Sequence, residues 1–358
     1  MNSHTYVVIM AGGIGSRFWP LSRTPKPKQF LDILGVGKTM IQSTYDRFSN
    51  ICPAENFFVI TSQEYKQLVK EQLPNIPENN IIGEPARRNT APCIAYATQK
   101  IKTIDPLATM VVTPADHIVL NTKNFEEIIL EGLNFASSKM VLLTIGIKPS
   151  RPETGYGYIQ MEDSFDEKHI HKVKTFTEKP DIEMAKVFVE SGEFLWNAGI
   201  FIWNVKSIID AFRKHLPQVF SLFEDTTSLN TPDEKEFIRD VYNKVESISI
   251  DFGIMEKSSD VFVIPADFGW SDLGTWGSLY SFVEKDENQN AIISKNAMLH
   301  NSKGCLVNIT SNKFLIGNNL KNIIIAEADG LLLISDIAEE NNIRQIVNNF
   351  YIEHEENF

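Results

Sequence analysis

The stretch Tyr6–Phe30, YVVIMAGGIGSRFWPLSRTPKPKQF, joins a short apolar run to a glycine turn and a basic loop. The run Tyr6–Ala11 predicts a buried first strand, because it is apolar and leads directly into glycines. Glycines at this point let backbone N–H groups approach phosphate oxygens, and fixed cations supply the opposite charge. Residues 1–31 contain no Asp or Glu, although the chain has a net charge of −12, and their basic side chains are Arg17, Arg23, Lys26 and Lys28. The segment therefore predicts a binding loop for a small, highly charged anion.

Two common phosphate motifs are nearly present in this region, and both fail at a glycine. Gly13–Phe18 (GIGSRF) begins like the dinucleotide fingerprint GxGxxG, but Phe18 occupies the position of the third glycine. Asp32–Thr39 ends like a P-loop, but Asp32 stands where that motif requires its first glycine. Each missing glycine is needed for backbone geometry, so neither motif explains the loop.

Apolar runs alternate with helical patterns through most of the chain. The predicted strands are Tyr6–Met10, Phe57–Thr61, Met110–Thr113 and Val141–Ile147. The predicted helices cover Met40–Phe48, Tyr65–Gln72 and Phe125–Ser137, and a further helix starts near Asn89–Thr90 with Pro92 in its first turn. This alternation predicts an α/β fold, with a Rossmann-like, mostly parallel sheet flanked by helices. Ligands of such sheets bind beyond the carboxyl ends of the strands, where the polar motifs fall.

The sequence pattern changes near Asn290, where short apolar segments alternate with Asn, Ser, Lys and Gly. We predict a catalytic domain over 1–288 and a small β-rich domain over 289–358. A β-helix of a few coils is one arrangement that this small domain could adopt, although the hexapeptide periodicity of its sequence is weak. The polar segment Glu339–Phe358 is predicted to be a helix or a dimer arm.

Composition excludes several classes of protein. The negative net charge argues against general nucleic-acid binding, and no apolar stretch is long enough for a membrane span. The N-terminus lacks the pattern of a secretory signal. The three cysteines are far apart and form no CxxC pair, which fits a reducing cytoplasm better than a disulfide framework.

The combination GGxGxR, WPLSR and PKQFL resembles the nucleotidyltransferases that make nucleotide sugars, in particular the mannose-1-phosphate guanylyltransferases. The resemblance implies transfer of GMP from GTP to mannose 1-phosphate, which forms GDP-mannose and pyrophosphate with the help of Mg²⁺. It also implies nucleotide contacts from Gly12, Gly13 and Gly15, and triphosphate binding by Arg17 and Lys28.

Gly83–Pro92, GEPARRNTAP, follows a predicted strand and opens a helix. Its backbone amides, together with Arg88, Asn89 and Thr90, could bind a base edge or a phosphate. The resemblance places this segment beside the base and favours guanine. The alternative is a plain helix start capped by Asn89 or Thr90, and the two interpretations can coexist.

Two aspartates are candidate metal ligands. Asp116, in MVVTPADH, lies just past an apolar strand, and Asp272 lies in the glycine-bounded turn GWSDLG. Carboxylates suit Mg²⁺, which prefers oxygen ligands and substrate phosphates. An isolated Asp beside Gly usually forms a turn, but in similar proteins an aspartate from each motif binds the metal that bridges nucleotide and sugar phosphate.

Three further motifs resemble the sugar pocket: TGYGYI (Thr154–Ile159), FTEKP (Phe176–Pro180) and WNAGIF (Trp196–Phe201). They imply backbone contacts at Gly155 and Gly157, and a hydroxyl acceptor, Glu178. They also imply a phosphate-binding Lys179 and a hydrogen-bonding Asn197. The alternative for Glu178 and Lys179 is an exposed surface pair.

Rival functions differ from this one in testable ways. The first is transfer to another sugar 1-phosphate or from another nucleoside triphosphate. A non-catalytic sensor should have lost a metal aspartate or the loop arginine, and a P-loop kinase is weakened by Asp32. Longer relatives carry an isomerase domain, for which the segment after residue 285 is too short, so we expect a single activity. We also expect a cytoplasmic homodimer that binds neither membranes nor nucleic acid.

Overall fold

The structure is a computed structural model that describes residues 3–13, 15–167 and 169–353, so the end of the predicted terminal arm, 354–358, lies outside it. The chain forms two compact units, each made of several segments. Unit 1 comprises Met1–Gly12, Thr44–Ala115 and Val119–Trp270, and unit 2 comprises Gly13–Ser43, Asp116–Ile118 and Ser271–Phe358. These units are not continuous stretches of chain, and the domain boundary at residue 288 stays a prediction.

Strands and helices alternate along the first two thirds of the chain, as predicted. The strands are β1 (Thr5–Ala11), β2 (Phe57–Ser62), β3 (Ile81–Glu84), β4 (Thr109–Pro114), β5 (Ile118–Val119), β6 (Leu142–Ile147), β7 (Gly157–Glu167), β8 (Ile170–Glu178), β9 (Phe194–Asn204), β10 (Val261–Ala266), β11 (Trp270–Ser271), β12 (Ala291–Ile292), β13 (Ala297–His300), β14 (Leu306–Ile309), β15 (Leu315–Asn318), β16 (Ile323–Ala328) and β17 (Leu331–Asp336). The α-helices are α1 (Met40–Phe48), α2 (Lys66–Gln72), α3 (Thr90–Ile104), α4 (Thr122–Ser138), α5 (Ile182–Ser191), α6 (Val205–His215), α7 (Pro217–Phe220), α8 (Glu234–Lys244), α9 (Trp276–Phe282) and α10 (Ile343–Glu353).

Unit 1 is built on one large sheet with the strand order β3-β2-β1-β4-β9-β6-β10-β8-β7. The pairs β1–β2, β1–β4, β2–β3 and β6–β10 are parallel. Strands β8 and β9 run against the others, since β9 pairs antiparallel with β4 and β6, and β8 with β10 and β7. The predicted α/β fold with a mostly parallel sheet is confirmed, with an antiparallel strand, β9, at its centre.

Burial explains why these segments form strands and helices. The side chains of Val7, Val8 and Ile9 on β1 are fully buried, as expected for a parallel strand covered on both faces. Helix α3 begins where predicted, because the Asn89 side chain accepts a hydrogen bond from the N–H of Thr90, 2.9 Å away. The carboxyl ends of β1, β3 and β4 lead into the glycine loop, the GEPARRNTAP segment and the Asp116 loop, respectively.

The C-terminal part of unit 2 is strand-rich and resembles a β-helix. Strands β12, β14 and β16 pair in parallel, and so do β13 and β15, as successive coils of a solenoid do. Asn301, Asn319 and Asn322 turn the chain with positive φ angles, which Asn tolerates better than most residues. The coil lengths between paired strands differ, which explains the weak periodicity of the sequence.

The chain leaves this unit through a tight hairpin and a helix. Asp329 and Gly330, both at positive φ, join β16 to its antiparallel partner β17, as Asp-Gly does in two-residue hairpin turns. A 3₁₀ helix, Ile337–Asn342, then leads into α10, so the described part of the predicted terminal segment is helical. In the part of the chain that is described, no helix combines the length and apolar character that crossing a bilayer requires.

Candidate active site

The glycine loop is held in a conformation that requires glycine at one position. Gly15 has φ +73°, and a β-carbon there would lie 2.5 Å from Cβ of Lys28. Among the residues that the structure describes, and apart from its chain neighbours, none lies within 4 Å of the equivalent point at Gly13, whose carbonyl accepts a hydrogen bond from Nε2 of Gln29 at 2.9 Å. The start of the loop is therefore fixed against its basic end, and the backbone at Gly13 stays open to a ligand.

A cavity of about 270 Å³ in unit 2 gathers predicted site residues from separate motifs. It is lined by Gly15, Ser16, Arg17, Phe18, Lys28, Asp116, His117, Asp272, Leu273, Gly274 and Arg344. The structure thus brings together the predicted triphosphate-binding side chains, Arg17 and Lys28, and the two predicted metal ligands. Their sequence separation is large, so only the fold makes them neighbours.

Lys28 occupies the centre of this cluster and is almost completely buried, with 3% of its surface exposed. Its ammonium lies 2.9 Å from Oδ2 of Asp116 and donates to the backbone carbonyls of Asp272 and Leu273 at 2.7 and 2.9 Å. An ammonium has three hydrogens to donate, and three protein oxygens lie within bonding distance. Lys28 therefore joins both aspartate motifs to the basic loop.

The charges around Asp116 favour its ionised form. Burial alone would raise the pKa of the Asp116 carboxyl, but the charges of Lys28 and His117 outweigh it and hold that pKa below its usual value. Asp272 lies in a tight turn, where its Oδ1 accepts from the N–H of Gly274 at 3.0 Å. Leu273, between them, has φ +48°, so the turn carries backbone strain of a kind often found at functional sites.

Two carboxylates in one cavity supply the oxygen ligands that Mg²⁺ prefers. Magnesium sites commonly combine one or two carboxylates with substrate phosphates. Among the described residues, no group of three or more His, Cys, Asp or Glu side chains forms a metal-binding cluster. The donor set fits a cation that substrate oxygens would complete.

The predicted base-binding segment lies in unit 1, where its side chains have structural partners. Nε of Arg88 donates to the carbonyl of Tyr242 at 3.0 Å, and Oγ1 of Thr90 accepts from the N–H of Ile250 at 2.8 Å. Asn89 caps α3, which confirms the capped-helix interpretation without testing a binding role.

Glu84, at the end of β3, lies beside this segment and was missed by the sequence analysis. Its Oε1 accepts from the hydroxyl of Tyr242 at 2.8 Å, and its Oε2 lies 3.6 Å from where a β-carbon of Gly12 would be. Burial raises the pKa of Glu84 to about 7, against the lowering effect of the Tyr242 hydrogen bond. The sequence signal for Glu84 was a carboxylate at the end of a buried strand and shortly before the start of a helix.

The predicted sugar-site motifs also lie in unit 1, on or next to β7, β8 and β9, and β7 pairs with both β8 and β9. In the registers of β7 with β8 and of β6 with β9, Gly157 is opposite Glu178, and Gly146 is opposite Asn197. A β-carbon at Gly157 would lie 2.5 Å from Oε2 of Glu178 and 3.4 Å from Cβ of Asn197. Gly157, Glu178 and Asn197 are therefore neighbours, and glycine is needed for the carboxylate to occupy its place.

Lys179 and Gly155 border this cluster. Lys179 forms an ion pair with Glu178, and its own backbone has φ +47°. The side chain of Lys179 is 61% exposed, and that of Glu178 is 28% exposed. The N–H of Gly155 donates to Oε1 of Glu153 at 3.2 Å. The ion pair is present, but only Lys179 is exposed, so Glu178 and Lys179 are not the simple surface pair of the alternative interpretation.

Asp251, to which the sequence analysis gave no role, is part of the same cluster. It lies in a short π-helix, Asp251–Met255. Nδ2 of Asn197 donates to Oδ1 of Asp251 at 2.8 Å, and Oδ1 of Asn197 accepts from the N–H of Gly199 at 3.1 Å. Burial and the neighbouring charge of Glu178 raise the pKa of Asp251 to about 6.

Comparisons with known proteins identify the family of this chain. A family model described as nucleotidyl transferase matches residues 6–289. A mannose-1-phosphate guanylyltransferase from Klebsiella pneumoniae is 37% identical over 350 residues, which cover 95% of this chain and 72% of that protein. One from Escherichia coli (strain K12) is 34% identical over 357 residues, covering 96% and 73%, respectively.

A solved structure from Thermus thermophilus, named mannose-1-phosphate geranyltransferase, is similar over the whole fold. It superposes with a TM-score of 0.87 and 27% identity, covering 97% of this chain and 99% of that one. The family match spans most of the chain, and the sequence relatives align with nearly all of it. This chain therefore belongs to the nucleotidyl transferase family.

Proposed function

We propose that the protein transfers GMP from GTP to α-D-mannose 1-phosphate and forms GDP-mannose and pyrophosphate. One observation carries the proposal: a single cavity combines Gly15 of the glycine loop, Arg17, Lys28 and the aspartates Asp116 and Asp272. Such a set suits a nucleoside triphosphate with a divalent cation. The names of the relatives supply the choice of guanine and mannose.

The triphosphate would bind along the loop that starts at Gly12, with the open backbone at Gly13 close to the phosphates. Arg17 is exposed and carries a guanidinium, which can bind phosphate oxygens in a bidentate manner. Lys28 would act beside it, as a buried charge that keeps Asp116 and the carbonyls of the Asp272 turn in place. Gly15 would fix the turn of the glycine loop that precedes Arg17.

The guanine base would be bound by Glu84, beside the segment Arg88, Asn89 and Thr90. Guanine presents N1–H and N2–H₂ as adjacent donors, and the Glu84 carboxyl, whose pKa is about 7, would accept hydrogen bonds from both in its ionised form, which these donors favour. Tyr242 would hold one carboxylate oxygen in place, and Gly12 leaves room beside the other. Arg88 and Thr90 would support this site through their bonds to the backbone at Tyr242 and Ile250.

The mannose phosphate would bind at the polar cluster of β7, β8 and β9. Glu178 would accept hydrogen bonds from sugar hydroxyls, and Asn197, oriented by Asp251, would contribute a second polar contact. Lys179 would exchange its contact with Glu178 for the sugar phosphate. Gly155 would present its backbone to the sugar.

The reaction needs no covalent nucleophile on the protein. A phosphate oxygen of mannose 1-phosphate attacks the α-phosphorus of GTP, and the bond from that phosphorus to the bridging oxygen of pyrophosphate breaks. Arg17 and Lys179 hold the two anions, which would otherwise repel each other, so catalysis depends on alignment and charge neutralisation. Asp116 and Asp272 would hold Mg²⁺, which neutralises charge on the phosphate oxygens when bound.

A panel of substrates tests the proposal directly. The full-length protein is incubated with Mg²⁺, each of GTP, ATP, UTP, CTP and dTTP, and each of mannose, glucose and N-acetylglucosamine 1-phosphates. We expect pyrophosphate release with GTP and mannose 1-phosphate to exceed every other pair. A preference for another pair would support the rival transferase, and release with none would support a non-catalytic role.

The expected cytoplasmic homodimer belongs to the same proposal. Sedimentation velocity at micromolar concentration, with and without GDP-mannose, would report the mass of the particle. A mass near twice 40.6 kDa supports the dimer, and a monomer mass contradicts it.

A further inference from the structure

Arg344 lines the cavity of unit 2 together with Arg17, Asp116 and Asp272, although it lies far from their motifs in sequence. It belongs to α10, the helix at the end of the described chain. The motifs of the sequence analysis stop well before this residue. Its position raises the question of what an arginine from the C-terminal helix does beside a phosphate-binding loop.

The helix that carries Arg344 is attached to both motifs of the cavity. Ile343, 1% exposed, belongs to the same buried apolar cluster as Phe18, Leu273 and Trp276. Further along the helix, the hydroxyl of Tyr351 accepts a hydrogen bond from Nε1 of Trp19 at 3.2 Å. The backbone next to Arg344 is therefore fixed against the glycine loop and the Asp272 turn.

A second contact holds the segment just before the helix. The carboxylate of Glu340 accepts a hydrogen bond from the N–H of Gly277, which lies in the first turn of α9. A carboxylate is favourable there, because the free N–H groups of a helix start carry partial positive charge. The segment is thus anchored on both sides of Arg344, and a side chain on such a support can be positioned accurately.

The charges in the cavity favour a further cation beside a bound triphosphate. Lys28 already has three protein oxygens around its ammonium. A nucleoside triphosphate carries several negative charges, which Arg17 would face together with a cation held by two aspartates. The guanidinium of Arg344 is permanently charged and suits bidentate phosphate binding.

We propose that Arg344 binds the β- and γ-phosphates of the nucleotide, and therefore also binds the pyrophosphate product. This inference rests on the proposed function, since it names a further substrate contact at the same site. The C-terminal segment then contributes directly to nucleotide binding, beyond its contribution to stability. The competing interpretation is a solvated surface arginine, because the residue is exposed.

The test compares Arg344→Ala and Arg344→Lys with Gln345→Ala, a matched change at the next exposed position of the same helix. We expect Arg344→Ala to raise KM for GTP and the pyrophosphate KM of the reverse reaction about 10-fold, as loss of one charged contact does. KM for mannose 1-phosphate should not change. Arg344→Lys should recover part of the loss, since it keeps the charge without the planar fork.

Isothermal titration with pyrophosphate and Mg²⁺ gives a readout that does not depend on turnover, and thermal unfolding checks that each variant is folded. An unchanged pyrophosphate affinity and GTP KM in both Arg344 variants would overturn the inference. An equal loss in Gln345→Ala would also overturn the inference, because the loss would then come from a disturbed helix and not from the missing guanidinium. A wild-type protein that releases no pyrophosphate with any substrate pair refutes the proposed function instead.

Discussion

Two aspartates, one in each candidate substrate site, lie in opposite electrostatic environments. In unit 2, Asp116 lies 2.9 Å from the ammonium of Lys28, and its pKa is lowered despite burial. In unit 1, Asp251 is buried near another carboxylate, Glu178, and its pKa rises to about 6. The first environment keeps an ionised ligand ready for a cation. The second favours hydrogen bonds with neutral groups, such as the hydroxyls of a sugar.

The same contrast separates fixed cations from exchangeable ones. Lys28 is buried and bonded to three oxygens, whereas Lys179 is 61% exposed and paired with its neighbour Glu178. A buried lysine with satisfied donors keeps its position when substrate arrives, because breaking those contacts leaves buried oxygens unpaired. An exposed lysine can change partner at little cost, since surface ion pairs contribute little. The proposed nucleotide site is therefore preorganised around Lys28, whereas the proposed sugar site has a lysine that is free to change partner.

The largest expected effect comes from the preorganised side. We expect Asp272→Asn to lower kcat by on the order of 10²–10³, as loss of a charge contact in the transition state does. The loss should be greatest at limiting Mg²⁺. Steady-state rates over a Mg²⁺ titration measure it, and exposed Asp267→Asn, five residues away, serves as the matched control. Near-wild-type turnover of Asp272→Asn at limiting Mg²⁺ would remove Asp272 from the metal site.

The second effect concerns base selection by Glu84. Glu84→Gln replaces one of the two acceptor oxygens by a donor, and we expect kcat/KM for GTP to fall by about 10², since each bond to a charged group contributes about 1.5–3 kcal/mol. ITP, which lacks the N2 amino group, should lose less, so the GTP/ITP ratio shrinks. Tyr242→Phe keeps the carboxylate and removes its hydroxyl partner, so its effect should be smaller. An unchanged GTP/ITP ratio in Glu84→Gln would refute the assignment.

Much of the fold, and part of the site, could be predicted because the signals are local. The apolar run before the glycines predicted β1, and Asn89 before Thr90 predicted the start of α3. Arg344 could not be found in this way, because its relation to the glycine loop depends on the packing of Ile343 in a distant cluster. The three oxygens around Lys28 were equally hidden, since two of them are backbone carbonyls without a sequence signature.

The third prediction concerns the proposed sugar site and tests the steric requirement for glycine at position 157. Gly157→Ala should raise KM for mannose 1-phosphate about 10-fold, because the new methyl group would displace the Glu178 carboxylate, 2.5 Å from its β-carbon. KM for GTP should stay the same. Gly155→Ala is the matched comparison, since its β-carbon meets Glu153 at 3.4 Å, and its effect should be smaller. Equal KM values for the two variants would contradict a special need for glycine at 157.

The smallest expected effect tests the electrostatic contrast itself, in the pH dependence of stability. The pKa of Asp251 is about 6 in the folded protein, against 3.8 for an ordinary Asp, so the folded state binds the proton more tightly. Its contribution to the free energy of unfolding is complete below pH 3.8 and is lost as pH rises through 6. Asp251→Asn keeps an oxygen that can accept from Asn197, 2.8 Å away, and removes this titration. Between about pH 5 and 6, the wild type should therefore lose on the order of 1 kcal/mol relative to the variant.

Urea unfolding at both pH values measures that difference, with exposed Asp240→Asn as the control. Glu84 also has a raised pKa and changes stability in the same direction, but it is present in every one of these proteins, and its contribution cancels in the comparison. If Asp251→Asn and the wild type lose stability in parallel, the carboxyl of Asp251 titrates as an ordinary one. The contrast between the contacts of Asp116 and Asp251 would then not be reflected in their pKa values. The proposed sugar site would have to be regarded as a site with an ionised Asp251, like the site around Asp116.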